Sequence, residues 1–104
     1  MSKANAVGLL EVYGLAAAFA AGDAACKAAN VTIEAFDRNK PANAETLPVP
    51  LLILVKIRGS VADVQAGLAA GKRAAEGVSG VAAEHIIASP AQDTEKMLGI
   101  DVLA

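Results

Sequence analysis

The chain has 104 residues and a formal net charge of −2, and 55% of it is hydrophobic while only 3% is aromatic. That length suits a single domain, and an apolar content drawn from Ala, Val, Leu and Ile suits thin, closely packed layers and argues against a deep aromatic pocket. With no basic cluster interleaved with aromatics, nucleic acid is a poor partner. The single cysteine, Cys26, excludes an intrachain disulfide and any zinc or iron–sulfur site built from the cysteines of one chain.

Ala6 to Tyr13 is a short apolar run with branched residues and fits a buried first strand. Gly14 punctuates it, and Leu15 to Ala29 is rich in alanine, the strongest helix former, with Leu15, Phe19 and Cys26 predicted on a broad apolar side. Asp23 and Lys27 stand four apart in the favourable acid-first order, and Asn30, which tolerates the left-handed conformation, is expected to end the helix. Val31 to Phe36 reads as the second strand, with Glu34 predicted on the same face as Thr32 and Phe36. From Asp37 to Pro50 the three prolines and the lack of periodicity predict a long loop without ladder pairing.

Leu51 to Ile57 is a strongly apolar third strand interrupted only by Lys56, and Arg58-Gly59 is expected to close it. Ser60 opens a second helix with Asp63 three residues on, in the manner of a capping box. This helix is predicted to run to about Glu76, with Val61, Val64, Leu68 and Gly71 along one side, and to stop at Gly77. Val81 to Ile87 is the fourth strand, and Asp93 to Leu98 follows Pro90 as a short last helix.

The order strand, helix, strand, strand, helix, strand is the split βαβ arrangement of a ferredoxin-like α+β sandwich, four antiparallel strands carrying two main helices on one face. The other face needs water, a partner or a further segment to cover it, and Glu11, Glu34 and Lys56 are placed to line it. Leu15 to Ala21 is too short for the roughly 20 residues of a membrane span and lacks the order of a signal peptide, so a cytosolic setting is the expectation. A mean hydropathy of +0.46 then implies apolar surface buried between subunits.

The residues that carry chemistry are sparse. His85, the only imidazole, lies within a strand between Glu84 and Ile86, where a local bond is a simpler role than general-base work. Cys26 reads as a small buried hydrophobe, Asp93 and Glu95 as solvated charges, and Lys72-Arg73 as a solvated basic pair near a helix end. Gly8 reads as a tight contact and Gly14 as a turn, and the glycines form neither a dinucleotide fingerprint nor a phosphate loop. No catalytic residue, metal ligand or cofactor is assigned.

Val7-Gly8-Leu9-Leu10-Glu11-Val12-Tyr13-Gly14-Leu15, followed by Asp23-Ala24-Ala25-Cys26-Lys27-Ala28-Ala29-Asn30-Val31, resembles the hexameric shell proteins of bacterial microcompartments. The resemblance continues in Arg58-Gly59-Ser60-Val61-Ala62-Asp63-Val64, in Ala66-Gly67-Leu68-Ala69-Ala70-Gly71, and in His85-Ile86-Ile87 with Pro90 and Asp93-Thr94-Glu95-Lys96-Met97-Leu98. It implies one shell domain over residues 5–98 with a tail over 99–104. It also implies a structural role, in a six-fold disc that tiles with other discs and with other shell proteins, adjoins encapsulated enzymes, and passes small metabolites through an axial pore. Lys27 matches the family's edge lysine.

Two departures stand out. Where the family has Pro-Arg-Pro, whose arginine inserts into the neighbouring disc, this chain has Ala88-Ser89-Pro90, and Ser89 supplies no forked cation. Where the family has a short Gly-Ser-Gly pore turn, this chain has a loop over residues 38–50, so Arg38, Asn39, Lys40, Glu45, Pro48, Val49 and Pro50 are the pore-loop candidates. Repeated six times about an axis, Arg38, Lys40 and Glu45 would form rings of charge or hydrogen bonds. The same fold also serves small regulatory modules that bind ligands between subunits, and fold alone does not separate the two roles; an enzyme with an active site shared between subunits is a third class, with one His and one Cys to draw on.

Overall fold

Eight elements alternate along a computed structural model that describes residues 6–40, 42–47 and 51–101. They are β1 (Ala6–Tyr13), α1 (Leu15–Ala28), β2 (Thr32–Asn39), a single 3-10 turn (Ala44–Thr46), β3 (Leu52–Gly59), α2 (Val61–Val78), β4 (Val81–Ile87) and α3 (Gln92–Leu98). The strands form one antiparallel sheet in the order β2-β3-β1-β4, so each strand–helix–strand half straddles a strand of the other, the predicted split βαβ sandwich.

α1 and α2 cover one face. Gly8, Leu10 and Val12 of β1 and Ile53, Val55 and Ile57 of β3 point towards them, as the alternation of a strand requires. The apolar side of α1 differs from expectation. Ala17, Ala18, Ala21, Gly22 and Ala25 are buried, whereas Leu15 and Phe19 are 39% and 57% exposed and Cys26 is exposed. The reason is spacing, because α2 brings small residues of its own to the seam, Gly67 against Ala25 and Gly71 against Ala21, while its Val64 and Leu68 face Gly8 of the sheet, and a large side chain between the helices would push them apart. Val61, predicted on that side, is exposed.

The helix boundaries follow local chemistry. Gly14 enters α1 at φ 91, a conformation that disfavours a side chain. α1 ends not on a left-handed Asn30 but on an extended Ala29, and no described non-glycine residue has positive φ. Asn30 instead donates its amide to Asp63 Oδ1 at 3.3 Å. Ser60 caps α2 as expected, its Oγ accepting from the Asp63 amide at 3.1 Å. α2 runs through Gly77 to Val78, and the chain reverses at Gly80, φ 149, whose carbonyl accepts from the Tyr13 amide.

β2 is longer than predicted. Asp37, Arg38 and Asn39 are not loop but pair with Leu54, Ile53 and Leu52, because the apolar β3 exposes backbone groups that only a full-length neighbour satisfies. β3 likewise extends through Arg58 and Gly59. A bulge between Ile33 and Ala35 makes Glu34 the extra residue. It breaks the expected alternation: Phe36 turns to α1, its ring 5.5 Å from that of Phe19, while Glu34 reaches Arg58 on the opposite face.

α3 lies on that opposite face and is held there largely by charge. Arg58 forks onto Glu95 with bonds of 2.7 and 2.8 Å and also meets Glu34 at 3.4 Å, so Glu95 is not the solvated charge its sequence position implies. Lys56, placed on this face by the pattern, is not lining open water but is 2% exposed beneath α3. Leu98 is the buried residue of α3.

Two predictions follow from this packing. A Cβ on Gly8 would stand 2.7 Å from Val64 Cγ1, so Gly8→Ala is expected to lose about 1–3 kcal/mol to overpacking. A Cβ on Gly77 meets nothing within 4 Å, so Gly77→Ala is expected to gain about 0.5–1 kcal/mol; urea denaturation midpoints moving in opposite directions check both. The second prediction concerns acid. The hydrogen bond from Arg58 holds the Glu95 carboxyl below its ordinary value, a stabilisation present above the unfolded-state value and lost as pH falls through the folded one. With the Glu95 side chain 41% exposed the effect is screened and small, and Glu95→Gln is expected to lower stability slightly and evenly above about pH 4.5 and to flatten the acid limb of the stability–pH curve below it, leaving the slope of the alkaline limb unchanged.

Candidate functional site at the two ends of the sheet

Strand direction sorts the candidate residues. β2 rises to Asn39, which pairs with Leu52 at the start of β3, and Tyr13 and Val81 lie at this same end. Thr32, Arg58, Ala6 and Ile87 mark the other end. Strands of eight residues at about 3.3 Å per residue put the two ends roughly 26 Å apart.

The pore-loop candidates cluster at the first end. Arg38 and Asn39 close β2, Lys40 follows directly, Glu45 lies in the 3-10 turn, and all four are exposed. Pro48, Val49 and Pro50 lie outside the described residues. The described part of the loop has structure of its own: the Asn43 carbonyl accepts from the Thr46 amide at 3.0 Å and from its hydroxyl at 2.7 Å, and Ala44 is buried. Arg38 is anchored from behind, its amide donating to Asp37 Oδ1 at 2.8 Å. Two cations and one carboxylate at one tip give a surface that can hold anions or polar solutes once copies are brought together.

The edge candidates lie at the opposite end. Lys27 is in the last turn of α1, where the helix dipole favours a cation, and its Nζ meets Asp23 Oδ2 at 2.8 Å with both side chains largely exposed. That hydrogen bond and the adjacent charge hold the Lys27 ammonium above its ordinary pKa. Ser89 follows β4 at the same end of the sheet and is exposed. Lys27 and Ser89 belong to opposite flanks, since β2, which α1 leads into, and β4 are the two outer strands.

A shallow groove of about 290 Å³, lined by Phe19, Ile33, Glu34, Ala35, Phe36 and Asp101, runs along the free edge of β2. Phe19 and Ile33 were legible as apolar, but not as exposed, and the pairing that aligns them runs through the β2 bulge. Lys72, which reads in the sequence as one half of a solvated pair, is ion-paired with Glu84 of β4 at 2.8 Å, which raises its pKa. His85 and Cys26 are exposed on separate elements. Among the described residues no three His, Cys, Asp or Glu side chains gather as a metal site would need, and no helix is long and apolar enough to cross a membrane.

Comparison with known proteins adds an independent line. Residues 6–90 match the model of the BMC domain. The bacterial microcompartment shell protein PduA of Salmonella typhimurium is 38% identical over 94 residues, covering 90% of this chain and 90% of the relative. The carboxysome shell protein CcmK2 of Thermosynechococcus vestitus is 37% identical over 97 residues, covering 91% and 86%. A crystal structure of a microcompartment protein from Desulfitobacterium hafniense is similar with a TM-score of 0.67 at 29% identity over 93% of this chain, which spans 48% of that one.

Because the Lys27–Asp23 pair is exposed on both sides, it is worth little to the isolated fold. Lys27→Ala is expected to leave the urea midpoint of the chain unchanged within error, so that any effect of the same substitution on assembly reports the edge and not folding.

Proposed function

The chain belongs to the BMC domain family of microcompartment shell proteins, and from that premise we propose that six copies close into a disc with the β2–β3 loops around its axis and Lys27 and Ser89 at its rim. The carrying observation is that the loop candidates and the edge candidates occupy opposite ends of one sheet. Closed rings form through heterologous contacts between two different surfaces, and the chain offers two: the β2 flank with its Phe19, Ile33 and Phe36 groove, and the β4 flank with its exposed strand. Neighbours meeting along these flanks turn one end of every sheet inward and the other outward.

In that disc Arg38, Asn39, Lys40 and Glu45 repeat about the axis and set which small metabolites pass, with the remainder of the 38–50 loop, Pro48, Val49 and Pro50 included, completing the rim of the opening. Lys27 runs along the seam between discs. Ser89 stands where a forked cation would otherwise bridge that seam, and one short hydroxyl cannot replace several directed donors, so disc-to-disc contact is weak and depends on other shell proteins of the same compartment. The role is structural, the disc lies in the shell of a cytoplasmic microcompartment around its enzymes, and a regulatory ligand-binding module is not favoured because relatives matched over about nine-tenths of the chain are shell proteins.

Light scattering is expected to give the mass of six chains over a broad concentration range; a mass of one or two chains would overturn the disc. Electron microscopy is expected to show sheets or tubes more readily for Ser89→Arg than for the parent, and fewer for Lys27→Ala. Extended parental sheets indifferent to both changes would remove these two residues from the seam.

A further inference from the structure

Lys56 is the one charged side chain among the described residues that is fully buried, 2% exposed on the sheet face away from α1 and α2. Its Nζ donates to the Ile100 carbonyl at 2.8 Å and the Met97 carbonyl at 3.4 Å, and stands 3.6 Å from Asp37 Oδ2. The other carboxylate oxygen of Asp37 accepts from the Arg38 amide at 2.8 Å. A buried ammonium is costly unless acceptors and opposite charge surround it. Here they come from two elements far apart in sequence. The carbonyls come from the last turn of α3, at Met97, and from Ile100 just beyond its Gly99 cap, where backbone acceptors are left over and the helix end carries partial negative charge. The carboxylate belongs to the last residues of β2, directly before the loop.

We propose that Lys56 couples the seating of α3 to the stem of the β2–β3 loop, one buried cation being stable only while both partners are in place. When Asp37 loses its charge, the ammonium is left short of its counter-charge and regains water only if the last turn of α3 lifts. When α3 lifts, Lys56 is hydrated, and its hold on Asp37, and through Asp37 on the amide of Arg38, weakens. The coupling lies within one chain and needs no assembly.

Native-state hydrogen exchange tests it on Asp37→Asn, a substitution at a partly exposed strand end that removes the charge and retains an acceptor for the Arg38 amide. The Gly99 and Ile100 amides, bonded to the Glu95 and Met97 carbonyls, are the reporters, although Asp37 bonds neither. They are expected to exchange about tenfold to a hundredfold faster in Asp37→Asn, while amides of β1 keep their parental rates. In a Lys56→Met background, where the buried charge is absent, Asp37→Asn is expected to leave Gly99 and Ile100 unchanged. Unaltered Gly99 and Ile100 in Asp37→Asn alone would overturn the proposal, a reading that does not require Lys56→Met to fold. An equal acceleration with and without Lys56, or one shared by β1, would overturn it too, since the effect would then be general loosening.

Discussion

A methyl group on Gly71 would stand 3.1 Å from the Ala21 carbonyl oxygen, and one on Gly67 would stand 3.5 Å from Ala25 Cβ. That close approach of α1 and α2 is the constraint on which the other layers depend. Helices this near each other exclude large side chains from their seam, so the larger apolar residues go elsewhere: Leu10, Ile53, Val55 and Ile57 to the sheet below, and Phe19 to the flank. Dispersion over many small contacts replaces the burial of a few large groups. The scarcity of aromatics is therefore a condition of the architecture.

The two faces of the sheet are stabilised by different physics. On the helical face the contacts are apolar and close. On the opposite face a seven-residue helix brings one buried leucine and depends on Arg58 and Lys56, two residues apart on β3 and so on the same side of it. Charge-assisted bonds are directional, and they fix where α3 sits more closely than one apolar contact would. The same strand thus carries the core on its odd positions and the struts for α3 on its even ones, which is how a chain of this length fills both faces of one sheet.

Much of this was legible. The element order, the Ser60 cap, the tight contact at Gly8 and the family resemblance follow from runs of residues whose meaning is local. What failed is what depends on neighbours distant in sequence. Asp37 to Asn39 look like loop because their polarity and the prolines beyond them hide a partner strand that demands pairing. Leu15, Phe19 and Cys26 look like the core side of a helix because their apolar character is local, whereas the spacing that Gly67 and Gly71 impose comes from another helix. Glu34 reads as sharing a face with Phe36 because a bulge has no signature in a strict two-residue alternation. Arg58 and Lys56 carried a usable signal in their spacing, but the second half of each contact lies on a segment read as solvated. The candidate loop and edge residues were named from resemblance, and their division between the two ends of the sheet follows only once strand direction is known.

Both outer strands of the sheet are irregular. β2 carries its extra residue at Glu34, and the pairing of β4 with β1 slips between Glu11 and Val12, leaving Ala82 without an opposite partner. A flat, regular outer strand on so apolar a chain would be a template for endless edge-to-edge addition, the route to fibres. A bulge twists the strand and spoils the even spacing of its free amides and carbonyls. Two such irregularities, one at each margin, work against backbone-to-backbone zippering of the kind that builds fibres, and leave side chains as the means by which a shell protein packs against its neighbours.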